Sequence, residues 1–185
     1  MPGHDAALWQ EMAAQGWLGV LIPEGCGGQG LNLRAAQAVV LPLANWLAPE
    51  PFVACAVEAA IVLGAVPPGP RRDALLAGIA DGNQIAVVAD DPSLRLSTEE
   101  RLTGQVAYVG AGCAADVFVL LARSDEGPCL CIVSKDAANL DTRPELRADG
   151  TFSALLRLDG VPASRICSGV AAEQALRRGR AAAVL

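Results

Sequence analysis

Apolar residues recur at helical spacing near the start of the chain and again after residue 32. Leu8, Trp9 and Met12 fall on one face of a predicted helix. Asn32 stands just before "LRAAQAVVL", where its side chain can cap the first amide groups of a second helix. Pro42 lies inside this second apolar pattern, so we expect it to bend or end the helix.

Two further helices are predicted before residue 82. Pro51 occupies a favourable first-turn position for an apolar helix that runs through Leu63. Gly64 and "PPGP" then interrupt the chain, and "RRDALLAGIA" follows with its large apolar residues on one face. Asp81–Gly82 provides the glycine stop signal for that helix. The first 82 residues are therefore predicted to form a helical domain.

The period of the pattern changes after residue 82 to short runs rich in β-forming residues, separated by turn clusters such as "RLTG", "SDEG" and "RADG". No helical pattern separates these runs, so the predicted sheet is mainly antiparallel, in a barrel or sandwich. The fold class is α+β: an N-terminal helical domain, this β domain, and the start of a C-terminal helix. The predicted strands are "QIAVVAD" (84–90), "QVAYV" (105–109), "DVFVLLA" (116–122), "CLCIV" (129–133) and "FSALLRL" (152–158).

The predicted domain boundaries are 1–82, 83–168 and 169–185. Ser168 is a possible N-cap for the last predicted helix, and the given sequence ends inside this helix. The apolar residues of this helix have no predicted bundle to pack against, so we expect association or poor solubility through this end. These residues are Ala171, Ala172, Ala175, Leu176, Ala183 and Leu185.

Composition excludes several classes of partner. Of the 185 residues, 52% are hydrophobic. The net charge is −6 and the basic residues are scattered along the sequence, so no nucleic-acid surface is expected. The most apolar stretch, 53–66, carries Glu58 and is too short to span a bilayer, so no membrane association is expected. The N-terminus lacks a basic segment followed by an apolar one, which favours a cytoplasmic location.

Six cysteines and a single histidine do not indicate a metal site. No C-x-x-C spacing occurs, and His4 is the only histidine. Cys129 and Cys131 lie two residues apart in a predicted strand and therefore share one face of it. The cysteines are interpreted as reduced and structural, and no metal is predicted.

The stretch "GCGGQG", residues 25–30, fits the dinucleotide-binding pattern G-x-G-x-x-G. That motif needs a strand directly before the glycines and a second parallel strand ending in an acidic residue about twenty positions later. Here Pro23 and Glu24 intervene, and Glu50 follows a helix end rather than a strand. The stretch is therefore interpreted as a turn-rich connection between two helices.

Several segments together resemble the acyl-CoA dehydrogenase family. "GWLGVLIPEGCGGQGL" is similar to the family's G-W-x-G…P-E-x-x-G-G-x-G signature, and "RLTGQVAYVGAGCAADVFVLLAR" resembles its G-x-K-x-W/F-I-T-N-G-x-x-A-D strand pair. "LLRLDGVPASRICSG" resembles the last β segment with its V-P-x-x-x-x-x-G exit, and "ALRRGRAAAVL" the opening of the next helix. The four segments follow the family's order along nearly the whole chain.

The resemblance implies a FAD-dependent enzyme that introduces an α,β double bond into an acyl-CoA thioester. In the family a carboxylate removes the α-proton and the β-hydrogen leaves as hydride to flavin N5. The resemblance also implies homo- or hetero-oligomers of dehydrogenase subunits. Carried over residue by residue, FAD would contact two segments of the β domain: Val88, Ala89 and Asp90, and Tyr108, Val109 and Gly110.

The sequence departs from the family pattern at these two segments. Tyr108 offers an aromatic face, but Gly110 has no hydroxyl for the flavin ring. Asp90 puts a carboxylate where a neutral hydroxyl is expected, and an unpaired charge beside an anionic cofactor is costly. "SLRLS" replaces the family's small phosphate-accommodating residues. The stretch from Asp90 to Ser97 is alternatively a solvated turn with no cofactor role.

No catalytic residue is assigned. The family's carboxylate base belongs to its C-terminal helical domain, and Glu173 on the last helix is expected on a solvated face. The first hypothesis is therefore an incomplete chain of an acyl-CoA dehydrogenase-like flavoprotein. The alternative is a non-catalytic, flavin-poor partner subunit of a hetero-oligomeric acyl-CoA dehydrogenase. A third possibility, an α+β binding module without redox chemistry, requires four coincidental resemblances.

Overall fold

A computed structural model describes residues 4–148 and 150–184 of the chain. The helical region comes first, and two short 3₁₀ turns, Trp17–Gly19 and Glu24–Cys26, connect its first two helices. Within the described ranges its α-helices are α1 (Ala6–Ala14), α2 (Leu33–Asn45), α3 (Ala60–Gly64) and α4 (Pro70–Ala80), with a π-helical segment (Val53–Ala59) leading directly into α3. No described helix has the length and apolar character needed to cross a membrane.

Local side chains fix where these helices begin and end. The Asn32 carboxamide accepts hydrogen bonds from the Arg34 and Ala35 amides at 3.1 and 3.4 Å, which confirms the predicted cap of α2. Asp5 caps α1 in the same way, accepting from the Ala7 amide at 2.8 Å. Helix α4 ends before Gly82, whose φ of +71° is a left-handed conformation that glycine adopts at low cost.

The proline in α2 has a smaller effect than expected. Pro42 lies inside α2, which continues to Asn45, so the alternative that it ends the helix is wrong. The predicted helix from Pro51 is also modified, because Val53–Ala59 is π-helical before regular α-helix resumes. Insertions of this type relax the i to i−4 ladder and are frequent at functional positions.

The strands form one seven-stranded sheet in the order β5-β6-β2-β1-β3-β4-β7. It is mainly antiparallel, as predicted, and β1 and β3 are its one parallel pair among the described residues, with Val88 opposite Val119. β2 lies antiparallel on one side of β1, and the chain then crosses to the other side of β1, where β3 runs in the same direction as β1. The strands are β1 (Ala86–Leu96), β2 (Arg101–Gly110), β3 (Val117–Ser124), β4 (Gly127–Ser134), β5 (Leu140–Leu146), β6 (Phe152–Pro162) and β7 (Ser164–Ser168).

The sequence pattern missed β5 and β7, the two edge strands. β5 is largely exposed and contains Pro144, which a sheet tolerates at its edge because no partner needs the missing N–H. β7 is only five residues long and mostly half-buried. Neither strand is a run of β-forming residues of the kind from which the other five were predicted.

Helix α5 (Val170–Ala182) starts after Gly169, one residue later than the predicted Ser168 cap. Its small residues pack on α3 and on the π-helical segment, where Gly179 faces the Val62 side chain of α3 and the Glu58 carbonyl oxygen of the π-helical segment. Ala172, Ala175 and Leu176 are buried, so the expectation that this helix lacks a surface to pack against is wrong for them. Ala171 is exposed, Ala183 is half-buried, and Leu185 lies outside the described residues.

Candidate functional site

The glycine loop at 25–30 uses its amide groups internally. Gln29, Gly30 and Leu31 donate to the carbonyls of Gly19, Ile22 and Val20 at 2.8–2.9 Å. Gly28 lies so close to the Ile22 carbonyl that any Cβ would overlap it. A phosphate cradle needs amide donors that are free to point at the ligand. The loop is therefore a folded connection between α1 and α2, which confirms the structural interpretation.

The two segments predicted to contact FAD lie at the same end of the sheet. β1 and β2 form a hairpin in which Arg95 is opposite Thr103 and Leu96 opposite Leu102. The turn that joins β1 to β2 lies at one end of this hairpin. The two predicted segments, 88–90 and 108–110, both lie towards its other, open end. The topology thus brings the two segments to one region, although it leaves their individual environments very different.

The first segment, residues 88–90, packs against other residues of the same chain. Val88 and Ala89 are 8% and 7% exposed and lie beside β3 in the parallel register. The Asp90 carboxylate forms an ion pair with Arg180 of α5, in which the second guanidinium nitrogen, Nη1, lies 3.5 Å from Oδ2. The Asp90 charge is therefore paired, because a helix 90 residues later in the sequence supplies the opposite charge.

Glu58, on the π-helical segment, is a third charged group near this ion pair. Burial raises the pKa of the Glu58 carboxyl, the positive charge of Arg180 lowers it, and the negative charge of Asp90 raises it. The net result is a pKa above the ordinary value. The Glu58 carboxyl thus lies within electrostatic range of the Asp90–Arg180 pair, where α5, β1 and the π-helical segment meet.

The space beside Asp90 is small. A cavity of about 100 Å³ lies there, lined by Asp91, Leu121, Arg123 and Glu173 among others. Small-molecule sites are typically about 300–1,000 Å³ in volume. With Asp90 paired to Arg180, this segment presents a paired carboxylate and no neutral hydroxyl beside the small cavity.

The stretch from Asp90 to Ser97 is not a solvated turn. β1 continues through it to Leu96, with an irregularity between Asp90 and Arg95 in its pairing to β3. The Ser93 hydroxyl donates to the Gln105 carbonyl of β2 at 3.0 Å. Ser93 is therefore engaged in joining the two strands.

The second segment is open. Tyr108 is 78% exposed, has a φ of +57°, and donates its amide to the Glu145 carboxylate at 3.2 Å. Val109 is buried opposite Ala154, whereas a Cβ placed on Gly110 would meet no atom within 4 Å. A bulky residue with positive φ is unusual, and such positions cluster at functional sites. This segment offers an exposed aromatic ring but no hydroxyl at Gly110.

The cysteines are reduced, and the described residues contain no cluster of three or more His, Cys, Asp or Glu that could bind a metal. Cys129 and Cys131 share one face of β4, as predicted, with their sulfur atoms 3.9 Å apart. Interaction with the Cys129 sulfur and burial raise the pKa of the Cys131 thiol, and burial raises the pKa of Cys55 to about 12. Buried neutral thiols such as Cys55 and Cys131 serve packing rather than nucleophilic chemistry.

Sequence reasoning missed Arg180 as a member of this region. The sequence places it only in a family-like helix opening, and nothing local in "LRRGRAA" links it to Asp90. The link depends on α5 packing across α3, which places Arg180 beside β1.

Comparison with known proteins gives consistent results. The family model described as acyl-CoA dehydrogenase, N-terminal domain, matches residues 2–66. Acyl-CoA dehydrogenase FadE27 of Mycobacterium tuberculosis is 28% identical over 138 residues, which cover 70% of this chain and 37% of the relative. Acyl-CoA dehydrogenase IpdE2 of the same organism is 32% identical over 118 residues, covering 63% and 32%. The chain thus spans about a third of the length of these curated relatives.

Solved structures agree with the sequence relatives. A variant of the Tcur3481–Tcur3483 steroid ACAD is 28% identical and superposes with a TM-score of 0.85, covering 97% of this chain and 52% of the other. The ChsE4–ChsE5 complex from Mycobacterium tuberculosis shares the fold with a TM-score of 0.87 at 24% identity, covering 97% and 53%.

The helical region, the seven-stranded sheet and the following helix match the N-terminal and middle domains of the acyl-CoA dehydrogenase fold. The chain is similar in sequence and in structure to members of the acyl-CoA dehydrogenase family.

Proposed function

We propose that this chain is a non-catalytic, flavin-poor partner subunit of a hetero-oligomeric acyl-CoA dehydrogenase. The observation that carries the proposal is the ion pair between Asp90 and Arg180. It places a carboxylate and a guanidinium where the family resemblance predicts a neutral flavin contact. A structural ion pair at that position favours a subunit whose sheet supports an assembly. It is less suited to a subunit that holds a cofactor there.

Two further features favour the partner role. The cavity of about 100 Å³ beside Asp90 is smaller than small-molecule sites usually are, and Gly110 supplies no hydroxyl. The similar Tcur3481–Tcur3483 protein and the ChsE4–ChsE5 complex each carry two component names, which supports assembly with a second dehydrogenase subunit here. We expect the assembly to act on an acyl-CoA substrate in the cytoplasm.

Co-expression with an acyl-CoA dehydrogenase encoded beside this chain tests the proposal. The pair is expected to co-purify in equal amounts, and the sister subunit should gain thermal stability in the complex. If the sister is equally stable and equally flavin-loaded without this chain, the partner role is wrong. Arg180→Ala should weaken the complex less than it weakens the fold of this chain, since Arg180 pairs internally.

A second function is favoured by one observation. Tyr108 presents an exposed ring on a strained backbone, next to open space at Gly110. That surface favours an acyl-CoA dehydrogenase-like flavoprotein in which FAD lies against Tyr108 and other elements complete the site. Tyr108→Ala distinguishes the two functions. It should lower the flavin content of a flavoprotein and leave a flavin-poor partner subunit unchanged.

A further inference from the structure

Helix α2 is apolar on two sides, although only one side packs against the rest of the chain. Its packed side is formed by buried and half-buried residues around Ala36, which is fully buried. Its other side is exposed and carries Arg34 as its one charged residue. A surface helix ordinarily directs a charged and polar face to solvent. The exposed side of α2 instead contains five apolar residues: Leu33, Ala38, Leu41, Pro42 and Ala44.

Exposed apolar surface continues just past the C-terminal end of α2. Leu41 is 65% exposed, and Trp46 and Leu47, the two residues after the helix, are 86% and 87% exposed. Leu47 has a φ of +51°, a left-handed conformation that is unusual for a bulky side chain. Single exposed apolar residues are normal, whereas a group of them marks an interaction surface. The exposed side of α2 therefore has the character of a helix face that packs against another helix.

The spacing along this side suits packing of two helices along each other. Leu33, Gln37, Leu41 and Ala44 follow at intervals of four, four and three residues, so they form one ridge. The helix is roughly 20 Å long, and with the two residues after it this side presents on the order of 500 Å² of apolar surface. Two such surfaces would bury on the order of 1,000 Å² together, which is the area expected of a specific interface.

The charge pattern indicates what covers this surface. The chain has 20 acidic residues and a net charge of −6, but residues 25–49 contain no Asp or Glu. Two copies of an acidic chain repel each other, and contact through a surface without carboxylates keeps that repulsion low. A basic partner, in contrast, would be complementary to a surface that presents carboxylates. The surface of α2 thus suits a second copy of the same chain.

Arg34 is compatible with this arrangement. In an antiparallel pair of α2 helices, Arg34 of one copy would lie near the last turn of the other helix, where the free carbonyl groups favour a cation. Both copies would make this contact, as a two-fold axis requires. We propose that the exposed side of α2 joins two copies of this chain in an antiparallel, helix-to-helix dimer. The contact does not involve the β1–α5 region and is therefore independent of the proposed function.

A substitution at Leu41 tests the contact, because this residue lies near the middle of α2. Sedimentation velocity of the native chain should show a dimer that dissociates on dilution. Leu41→Glu removes apolar surface and places a carboxylate in the contact, so it should raise the dimer dissociation constant by about tenfold or more. Since Leu41 is exposed within one chain and glutamate is a good helix former, thermal melting of the diluted variant should match that of the native chain.

Val170→Glu is the matched control. Val170 is the first residue of α5 and is also 65% exposed, so the substitution makes the same change of charge on a different helix. The dissociation constant should stay the same. A dimer that is lost in Val170→Glu and kept in Leu41→Glu would place the contact on α5 and overturn the proposal.

Opposite charges at residue 41 test the contact directly. Leu41→Lys should weaken the dimer as Leu41→Glu does, because like charges then meet across the two-fold axis. A mixture of the two variants should form a heterodimer that is tighter than either variant's own dimer.

Three results would overturn the proposal: a native chain that stays monomeric at every concentration, a dimer that Leu41→Glu leaves intact, or a mixture of the two variants that is no tighter than each alone. A native chain that associates only with a sister dehydrogenase subunit, and loses that association in Leu41→Glu, would assign α2 to the sister and contradict the dimer.

Discussion

The contact between α3 and α5 can be tested at a single glycine. Gly179 of α5 lies so close to α3 and to the π-helical segment before it that an added Cβ would overlap the Val62 side chain and approach the Glu58 carbonyl oxygen at 2.9 Å. A backbone carbonyl cannot rotate away, so Gly179→Ala must push the two helices apart. Overpacking of this kind lowers the free energy of unfolding by about 1–3 kcal/mol. The better helix propensity of alanine offsets up to about 1 kcal/mol of that loss. We expect a net loss of roughly 1–2 kcal/mol.

Gly64, the last residue of α3, is the matched control. A Cβ there would meet no atom within 4 Å, and its φ is not in the left-handed region. Gly64→Ala should therefore be neutral or stabilise the protein by about 0.5 kcal/mol. Urea unfolding should place the midpoint of Gly179→Ala about 0.5–1 M below that of Gly64→Ala. Equal midpoints for the two variants would refute the packing of α5 on α3, and with it the position of Arg180.

Three further outcomes are expected. Asn32→Ala removes the cap of α2 and should lower the free energy of unfolding by about 1 kcal/mol. Asn32→Ser keeps a capping oxygen and should retain most of that stability. Equal losses for the two variants in urea titrations would contradict the cap. Burial raises the pKa of Glu58, so the folded chain holds that proton more tightly, and stability should fall as the pH rises above 4.5 through the folded pKa. Glu58→Gln should flatten that part of the pH profile, and an unchanged profile would exclude Glu58 as its source. In thiol titration of the native protein, the half-buried Cys26, Cys113 and Cys167 should react before Cys55, Cys129 and Cys131; six equal rates would contradict the burial described here.

Much of the fold could be predicted because its pattern is local. The cap at Asn32, the stop at Gly82 and five of the strands depend on residues within a few positions of each other. The edge strand β5 could not be found in this way, because an exposed strand has no buried face to impose alternation. The effect of Pro42 was overestimated, since α2 tolerates it and continues.

The region around the predicted flavin contacts was less accessible to sequence reasoning. The resemblance located Asp90 and Tyr108, but the charge balance at Asp90 depends on Arg180, which only tertiary packing brings near. The same limit applies to α5, whose small residues have no partner in the local sequence pattern and pack on α3 in the fold.

The central proposal is that this acyl-CoA dehydrogenase-like chain does not itself hold FAD between β1 and α5. The most direct test is the ratio of flavin to protein, measured by absorbance after the purified chain has been incubated with excess FAD and desalted. Essentially no flavin should remain on this chain, while a complex with its sister subunit should retain flavin equimolar with the sister. Flavin equimolar with this chain alone would contradict the claim.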